Sequence, residues 1–343
     1  MSDPLLATAE ATEHPLSSPI RTAPKLYAIS DLHLSFKTNR AALEELAPRP
    51  NDGLIICGDV GETPEHLRLA FAKATSCFKQ VWWVPGNHEL YTLPSEDRRG
   101  EGAVEGHGGG LRGVAKYEEC VRVCREWGVL TPEDDYVTWP PLNPSAPGDG
   151  DEAAHEEVES VIIAPIFTLY DYSFRPANIK LEGAVEWAKE EGIEASDEVL
   201  LHPDPYPTKQ DWCAALVART FDKLDAVTTA YPNTKLVIVG HWPLRQDLVK
   251  ILQVPRFCIW CGTTKTEDWH ERFNAKVVVT GHLHVRRTDW RGATRFEEVS
   301  LGYPRQWKEA MDQGLDVNDM LREILPGPEP PTDKAKTIWR RFG

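Results

Sequence analysis

Short apolar runs recur along the chain, and most of them stop at a glycine, aspartate, asparagine or histidine. Six runs stand out: KLYAISDLH, GLIICGDV, VWWVPGNHE, SVIIAPIF, KLVIVGHWP and KVVVTGHLH. Apolar runs of this length without strict alternation are typical of strands that are buried on both faces. The sequence therefore predicts buried strands with polar side chains at their carboxyl ends.

Helical patterns lie between several of these strands. Apolar residues recur at three- and four-residue steps from Val114 to Trp127 and from Trp212 to Ala230, which is typical of helices with one buried face. Strands that alternate with helices predict a mainly parallel α/β architecture. In such sheets functional groups gather at the carboxyl ends of the strands.

Some segments do not fit this pattern. Residues 1–24 contain acidic residues and prolines but no apolar run, so they are predicted to be a disordered tail and not a signal peptide. Residues 94–113 and 140–159, rich in glycine, proline and acid, are predicted surface loops. A longer insertion at 170–211 could cap a functional site.

With no repeat and no linker, we predict one domain over 25–305 and a C-terminal extension over 306–343.

Composition and charge narrow the class of protein. The chain is 41% hydrophobic with 12 tryptophans, which indicates a globular protein, and no apolar run approaches the ~20 residues that a membrane span needs. Fifty-three acidic against 38 basic residues give a net charge of -15, which argues against nucleic-acid binding. Seven cysteines, an odd number, indicate reduced thiols. Because the N-terminal tail does not resemble a signal peptide, we expect a cytoplasmic protein. The Cys258–Cys261 pair is only a weak zinc signal.

The polar residues at the strand ends share one chemistry. They are, in chain order, Asp31, His33, Asp59, Asn87, His88, His241, His282 and His284. Each motif alone is explained by a turn or a helix cap, but together they supply the oxygen and nitrogen ligands that suit divalent transition metals. In an extended chain His282 and His284 point to the same side, so they could serve one ion, two ions or none.

The order D-x-H, GD, GNHE, GH and GHxH resembles the calcineurin-like metallophosphoesterase superfamily, over Lys25 to Tyr303. The resemblance implies an α/β four-layer sandwich, in which two mixed β-sheets pack face to face between helices. It also implies two divalent metal ions, with Mn²⁺ expected first and Fe or Zn as alternatives. One ion would take Asp31, His33 and His284, the other Asn87, His241 and His282, and Asp59 would bridge them.

The resemblance also implies a mechanism. Two adjacent ions can clamp the attacking and leaving oxygens of an in-line displacement, and they generate hydroxide near neutral pH as the nucleophile. The family's histidine at the position of His88 lies near the scissile phosphate, so we expect His88 to act as the general acid. Glu62 follows Asp59 by three positions, where related phosphatases carry an acid that orients this histidine.

Two arginines of the related protein phosphatases are missing here. Those enzymes read GDxVDRG and RGNHE where this chain has GDVGET and PGNHE, which argues against a Ser/Thr protein phosphatase. Arg175 and Arg245 each follow a predicted strand end and are candidates for binding the substrate phosphate through bidentate contacts.

The sequence supports several functions to different degrees. A phosphomonoesterase acting on a small phosphorylated molecule is the first expectation, and a phosphodiesterase acting on a cyclic nucleotide or another diester is the alternative. A non-catalytic scaffold is disfavoured because all seven ligand positions are filled. The sequence gives no indication of the oligomeric state.

Overall fold

The computed structural model describes residues 23–94, 110–141, 160–332 and 336–343. The predicted disordered tail therefore lies outside the described residues, apart from its last two positions. Most of the predicted loops at 94–113 and 140–159 also lie outside them. The insertion predicted at 170–211 is described throughout.

Two mixed β-sheets form the centre of the molecule. The first has four strands in the order β10 (Arg322–Leu325), β1 (Leu26–Ile29), β2 (Arg49–Ile56) and β3 (Phe78–Trp83). The second has seven in the order β11 (Thr337–Trp339), β8 (Arg286–Arg291), β9 (Thr294–Val299), β7 (Ala275–Thr280), β6 (Leu236–Val239), β5 (Val161–Pro165) and β4 (Val137–Trp139). Strands β1 to β3 are parallel, as are β5, β6, β7 and β9.

Helices connect the strands. The α-helices are α1 (Lys37–Glu44), α2 (Pro64–Cys77), α3 (Gly113–Glu126), α4 (Ala184–Lys189), α5 (Asp197–Leu200), α6 (Lys209–Ala230), α7 (Trp269–Arg272), α8 (Pro304–Asp312) and α9 (Val317–Met320). Short 3₁₀ helices span His88–Leu90, Leu181–Gly183, Gln246–Leu248, Pro255–Trp260 and Thr264–Thr266.

Both helical patterns in the sequence correspond to helices, α3 and α6. Helix α6 begins where the side chain of Thr208 accepts a hydrogen bond from the backbone N–H of Asp211, and α2 begins in the same way at Thr63. Such caps satisfy a backbone donor that the first turn leaves without a partner.

The two sheets pack against each other through alternate side chains of their strands. In β1, Leu26 and Ala28 face a core that also contains Val161 and Val277 of the second sheet, while Tyr27 faces a core shared with helices. Because successive side chains of a strand point to opposite faces, each sheet is covered by the other sheet on one side and by helices on the other. The predicted four-layer α/β fold is confirmed.

Residues after 305, predicted as a C-terminal extension, contribute an edge strand to each sheet. Strand β10 pairs antiparallel with β1, and β11 pairs antiparallel with β8. Buried Glu297 of β9 forms ion pairs with Arg295, Arg322 and Arg340 at 3.0, 2.8 and 3.4 Å. These contacts tie the C-terminal residues to the second sheet.

All seven cysteines are free thiols, as expected. Cys258 and Cys261 direct their sulfurs at the carbonyl oxygens of Phe174 and Phe257. Among the described residues, no helix has the length and apolarity that crossing a lipid bilayer requires.

Candidate metal centre

The polar residues predicted at the strand ends meet at one edge of the molecule. They follow β1, β2 and β3 of the first sheet and β6 and β7 of the second. An isolated parallel bridge between Ser30 and Ser300 joins the end of β1 to the end of β9. This bridge brings the carboxyl edges of the two sheets together, so motifs that are distant in sequence share one site.

Among the described residues three groups of side chains could hold a metal ion, and two of them share Asp59, while the third contains His33, Glu62 and His88. The first cluster contains Asp31, His33, Asp59 and His284, and the second cluster contains Asp59, His241 and His282. Within each cluster the candidate ligand atoms lie within 4.8 Å of one another. Asp59 belongs to both, which is the geometry that a bridging carboxylate requires.

The two histidines of the GHxH motif face different clusters. His284 Nε2 lies 3.0 Å from His33 Nε2, and His282 Nδ1 lies 3.2 Å from His241 Nε2. Of the three arrangements that the sequence left open, the geometry corresponds to one histidine for each cluster.

Hydrogen bonds fix which nitrogen of two of these rings carries the proton. His241 Nδ1 donates to the carbonyl oxygen of Cys57 at 2.7 Å, and His284 Nδ1 donates to Oε1 of Gln306 at 2.9 Å. In a neutral imidazole the other nitrogen then presents its lone pair. The Nε2 atoms of both histidines are thereby directed into the site as candidate ligands.

Asn87 presents a buried oxygen to the same site. Its Nδ2 donates to the Tyr91 hydroxyl and to Oδ1 of Asp197, both at 2.9 Å. These two acceptors orient the amide and leave Oδ1 of Asn87, which is buried and has no hydrogen-bond partner among the described residues. Because buried polar atoms are nearly always satisfied, this orphaned acceptor fits a metal ligand.

The buried negative charge of the site also favours the binding of cations. Asp31 and Asp59 are both buried, and within the described residues their ion pairs involve only histidines. Burial lowers the tendency of His241 to ionise, but the neighbouring Asp59 carboxylate outweighs it and raises the pKa of His241 to about 10. Buried carboxylates require compensating positive charge, which divalent ions supply.

The backbone at these positions is unusual. Five of the seven candidate ligands have positive φ: Asp31 at 54°, His33 at 42°, Asp59 at 52°, His282 at 72° and His284 at 52°. Side chains with a Cβ seldom adopt this left-handed region, and such conformations cluster at functional sites. The turns after three different strands therefore share a conformation that aims side chains at one point.

Close approach between two loops explains the glycine of the GNHE motif. A Cβ on Gly86 would lie 2.2 Å from Oδ1 of Asp59. Glu89, buried in the same motif, accepts hydrogen bonds from the backbone N–H groups of Asp59, Val60 and Gly86. The GD and GNHE loops are thus locked together.

His88 lies beside the clusters. Its backbone N–H donates to Oδ1 of Asp59 at 2.9 Å, and its Nδ1 lies 3.0 Å from Oε1 of Glu62. Burial opposes its ionisation, but the Asp59 and Glu62 carboxylates outweigh burial and raise the pKa of His88 to about 9. The structure therefore brings Glu62 into contact with His88, in the arrangement expected of an orienting acid.

The two arginines predicted to bind phosphate are placed elsewhere. Arg175 donates to the carbonyl oxygens of Ile179 and Tyr172 in its own loop. Arg245 pairs with Asp247 and donates to the carbonyl oxygen of Glu267. Neither lines the cleft beside the clusters. Arg175 lies in the insertion at 170–211 and Arg245 in the loop after β6, and the local sequence does not specify the path of either segment.

A cleft of about 650 Å³ opens next to the clusters. Besides candidate ligands and His88, its lining residues are Lys250, Ile251, Leu252, Gln253, Val254, Phe257, Leu283, Val285, Tyr303, Arg305, Gln306 and Trp339. Arg305, whose guanidinium lies 5.5 Å from the Tyr303 ring centre, is a cation that sequence reasoning did not select. Asp197 was also missed, because nothing in its insertion marks it as part of the site.

The fold and the site together define a metal-dependent phosphoester hydrolase. Residues 24–286 match the sequence profile of the calcineurin-like phosphoesterases, and the chain belongs to that family. Members of the family depend on two divalent metal ions, and the two clusters supply candidate ligands for them. The resemblance and the enzyme class predicted from the sequence are thereby confirmed.

Two comparisons identify a relative in more detail. The chain is 41% identical over 309 residues to the [acyl-carrier-protein] phosphodiesterase PptH of Mycobacterium tuberculosis, covering 89% of this chain and 85% of the relative. The crystal structure of that bacterium's phosphopantetheinyl hydrolase (PptH) superimposes with a TM-score of 0.74 at 39% identity, covering 89% of this chain and 97% of the other. The relative is a phosphodiesterase, which favours the alternative function over the phosphomonoesterase that the sequence placed first.

Proposed function

We propose that this protein is a phosphodiesterase that removes the phosphopantetheinyl group from a carrier protein. The observation that carries the proposal is the 41% identity to an acyl-carrier-protein phosphodiesterase over 89% of the chain. A phosphopantetheinyl group is linked to its carrier through a phosphodiester on a serine hydroxyl. The proposed substrate is therefore a protein-bound diester in place of a small phosphorylated molecule.

We propose the following ligands for the two ions. Asp31, His33 and His284 hold the first, Asn87, His241 and His282 hold the second, and Asp59 contacts both. The support for this assignment is the two clusters with Asp59 in common and the buried oxygen of Asn87 beside the second. Oxygen and nitrogen ligands without thiolate accept manganese, iron or zinc, and manganese remains our first expectation.

Ions held by these residues would neutralise charge on the phosphoryl oxygens and lower the pKa of a nearby water molecule. His88 holds a proton near the phosphate, and Glu62, 3.0 Å from His88 Nδ1, orients the ring. In the proposed reaction the water loses one proton to solvent, its oxygen forms a bond to phosphorus, and the bond from phosphorus to the serine oxygen breaks. His88 then donates its proton to that serine oxygen, the usual role of a positioned acid.

Arg305 takes the phosphate-binding role in this proposal, in place of Arg175 and Arg245. Its side chain lines the cleft, and it forms no ion pair among the described residues, whereas Arg245 is neutralised by Asp247. An arginine without an acidic partner is available for a phosphate oxygen.

A cytoplasmic location, predicted from the sequence, suits a carrier-protein substrate and stays a prediction.

The test is a mass-spectrometric assay of a carrier protein charged with phosphopantetheine, with Mn²⁺ added. We expect conversion to the unmodified carrier and release of 4′-phosphopantetheine. Bis-(4-nitrophenyl) phosphate and 4-nitrophenyl phosphate are run in parallel, and the Asp59→Asn variant purified in the same way controls for contaminating enzymes. Turnover of the monoester alone, with an intact charged carrier, would refute the proposal.

A further inference from the structure

Two clefts meet at His88. The first is the cleft beside the clusters. The second, of about 820 Å³, is lined by Ser35, Phe36, Thr38, Glu62, His88, Tyr303, Pro304 and Arg305. His88, Tyr303 and Arg305 line both. None of the seven candidate ligands lines the second cleft, so His88 separates its lining from the metal centre.

From this arrangement we infer that each cleft takes one side of the diester. The first cleft binds the pantetheine arm, and the second receives the surface of the carrier protein around its modified serine. This inference rests on the proposed function and adds to it an orientation of the substrate. A diester has two organic groups on phosphorus, and a site built for it needs two exits from the phosphate, whereas a monoesterase needs one.

The position of His88 determines which half of the diester occupies which cleft. The atom that leaves phosphorus is the serine oxygen, and it must lie within reach of the proton on His88. The carrier protein continues from that oxygen, so it must lie on the side of His88 that is free of metal ligands. That side is the second cleft, which contains His88 and its partner Glu62. The pantetheine oxygen stays on phosphorus and points the other way.

The lining of the first cleft matches the pantetheine arm. That arm alternates a branched alkyl group with two amides. The cleft offers the apolar side chains of Ile251, Val254 and Val285 together with the amide of Gln253. Binding sites for small ligands combine an apolar lining with a few polar groups in this way.

The second cleft has features of a protein contact. Phe36 is 42% exposed at the end of the loop between β1 and α1, and its ring lies 5.6 Å from that of Tyr303. Ser35 and Thr38 beside it are exposed. Phe36 is exposed and Tyr303 is partly buried, and aromatic residues are enriched at protein interfaces.

The test measures inhibition of bis-(4-nitrophenyl) phosphate hydrolysis by each product. One inhibitor is 4′-phosphopantetheine and the other is the carrier protein without its prosthetic group. Val254→Trp fills the first cleft, and Phe36→Glu removes the aromatic contact from the second. Val199→Trp and Tyr231→Glu are matched controls, because Val199 and Tyr231 are 72% and 58% exposed and line neither cleft.

We expect Val254→Trp to raise the inhibition constant of 4′-phosphopantetheine about tenfold or more. We expect Phe36→Glu to raise the inhibition constant of the carrier protein by a similar factor. Each variant should leave the inhibition constant of the other product within about twofold, and the controls should change neither constant. The reverse pattern, or equal effects of each variant on both products, would overturn the assignment of the clefts while leaving the proposed function intact. Failure of the wild-type protein to cleave a charged carrier overturns the proposed function and this inference with it.

Discussion

The carboxylate of Asp197 accepts a hydrogen bond from Nδ2 of Asn87 at 2.9 Å. These residues lie 110 positions apart, Asp197 on a single-turn helix of the insertion and Asn87 directly after a strand of the first sheet. The same carboxylate oxygen accepts a hydrogen bond from the Tyr91 hydroxyl at 2.6 Å. Because an amide that donates from nitrogen presents its oxygen on the opposite side, Asp197 is a positioning residue for the oxygen of Asn87.

This relationship predicts the behaviour of Asp197→Asn. The new amide can donate as well as accept, so it no longer enforces one orientation of Asn87. We expect the affinity for one of the two ions to fall by about 10- to 100-fold, the usual effect of losing a hydrogen-bond partner of a ligand. Titration with Mn²⁺ followed by elemental analysis measures this directly.

Tyr91→Phe is the matched control for Asp197→Asn. It removes one hydrogen bond to each of Asn87 and Asp197 but leaves the bond between them, so we expect a smaller loss of metal. Unchanged binding of both ions by Asp197→Asn would contradict the positioning role.

Asp59→Asn should reduce the binding of both ions together, because Asp59 belongs to both clusters. We expect less than one equivalent of metal after dialysis and no measurable hydrolysis of bis-(4-nitrophenyl) phosphate. His241→Asn is the comparison, since it removes a candidate ligand from the second cluster alone. Retention of two ions by Asp59→Asn would exclude a bridging carboxylate.

His88→Asn should separate catalysis from metal binding. His88 contacts Glu62 and the backbone N–H of His88 contacts Asp59, but its side chain is in neither proposed ligand set. We expect kcat to fall by roughly 10²- to 10⁴-fold, the contribution of a positioned acid, with the metal content unchanged. Loss of an ion in this variant would place His88 among the ligands.

Removal of metal should destabilise the fold. Asp31 and Asp59 are buried and pair only with histidines among the described residues, so bound cations stabilise the folded state and not the unfolded chain. We expect chelation to lower Tm and Mn²⁺ or Zn²⁺ to restore it, as measured by differential scanning calorimetry. An identical Tm with and without chelator would argue against resident ions at this site.

Glu297→Ala should destabilise the protein independently of metal. Glu297 is fully buried and pairs with Arg295, Arg322 and Arg340. Removing one member of a buried ionic group leaves uncompensated charge and costs about 3–5 kcal/mol. Urea unfolding of the metal-free protein measures this loss. The exposed pair of Lys308 and Asp312 provides the control, because Asp312→Ala should change stability by less than about 1 kcal/mol.

The sequence by itself indicated six of the eleven described strands, the order of the polar residues at their ends, and the family. Asp31 with His33, Asn87 with His88, and His282 with His284 are each encoded within a few residues after a buried apolar run, so periodicity and short motifs suffice to find them. Glu62, three residues after Asp59, was identified through the family resemblance. The positions of the motifs at strand ends depend on the local path of the chain, whereas the contact of Glu62 with His88 joins residues 26 positions apart.

The tertiary structure decided which residues from distant parts of the chain meet. His33 faces His284 across 251 positions, and Asp197 reaches Asn87 from an insertion with no motif of its own. Arg175 and Arg245 were directed away from the cleft, and Arg305 was placed in it. These positions follow from how loops and insertions pack on the sheets, and side-chain periodicity within one element carries no information about that packing.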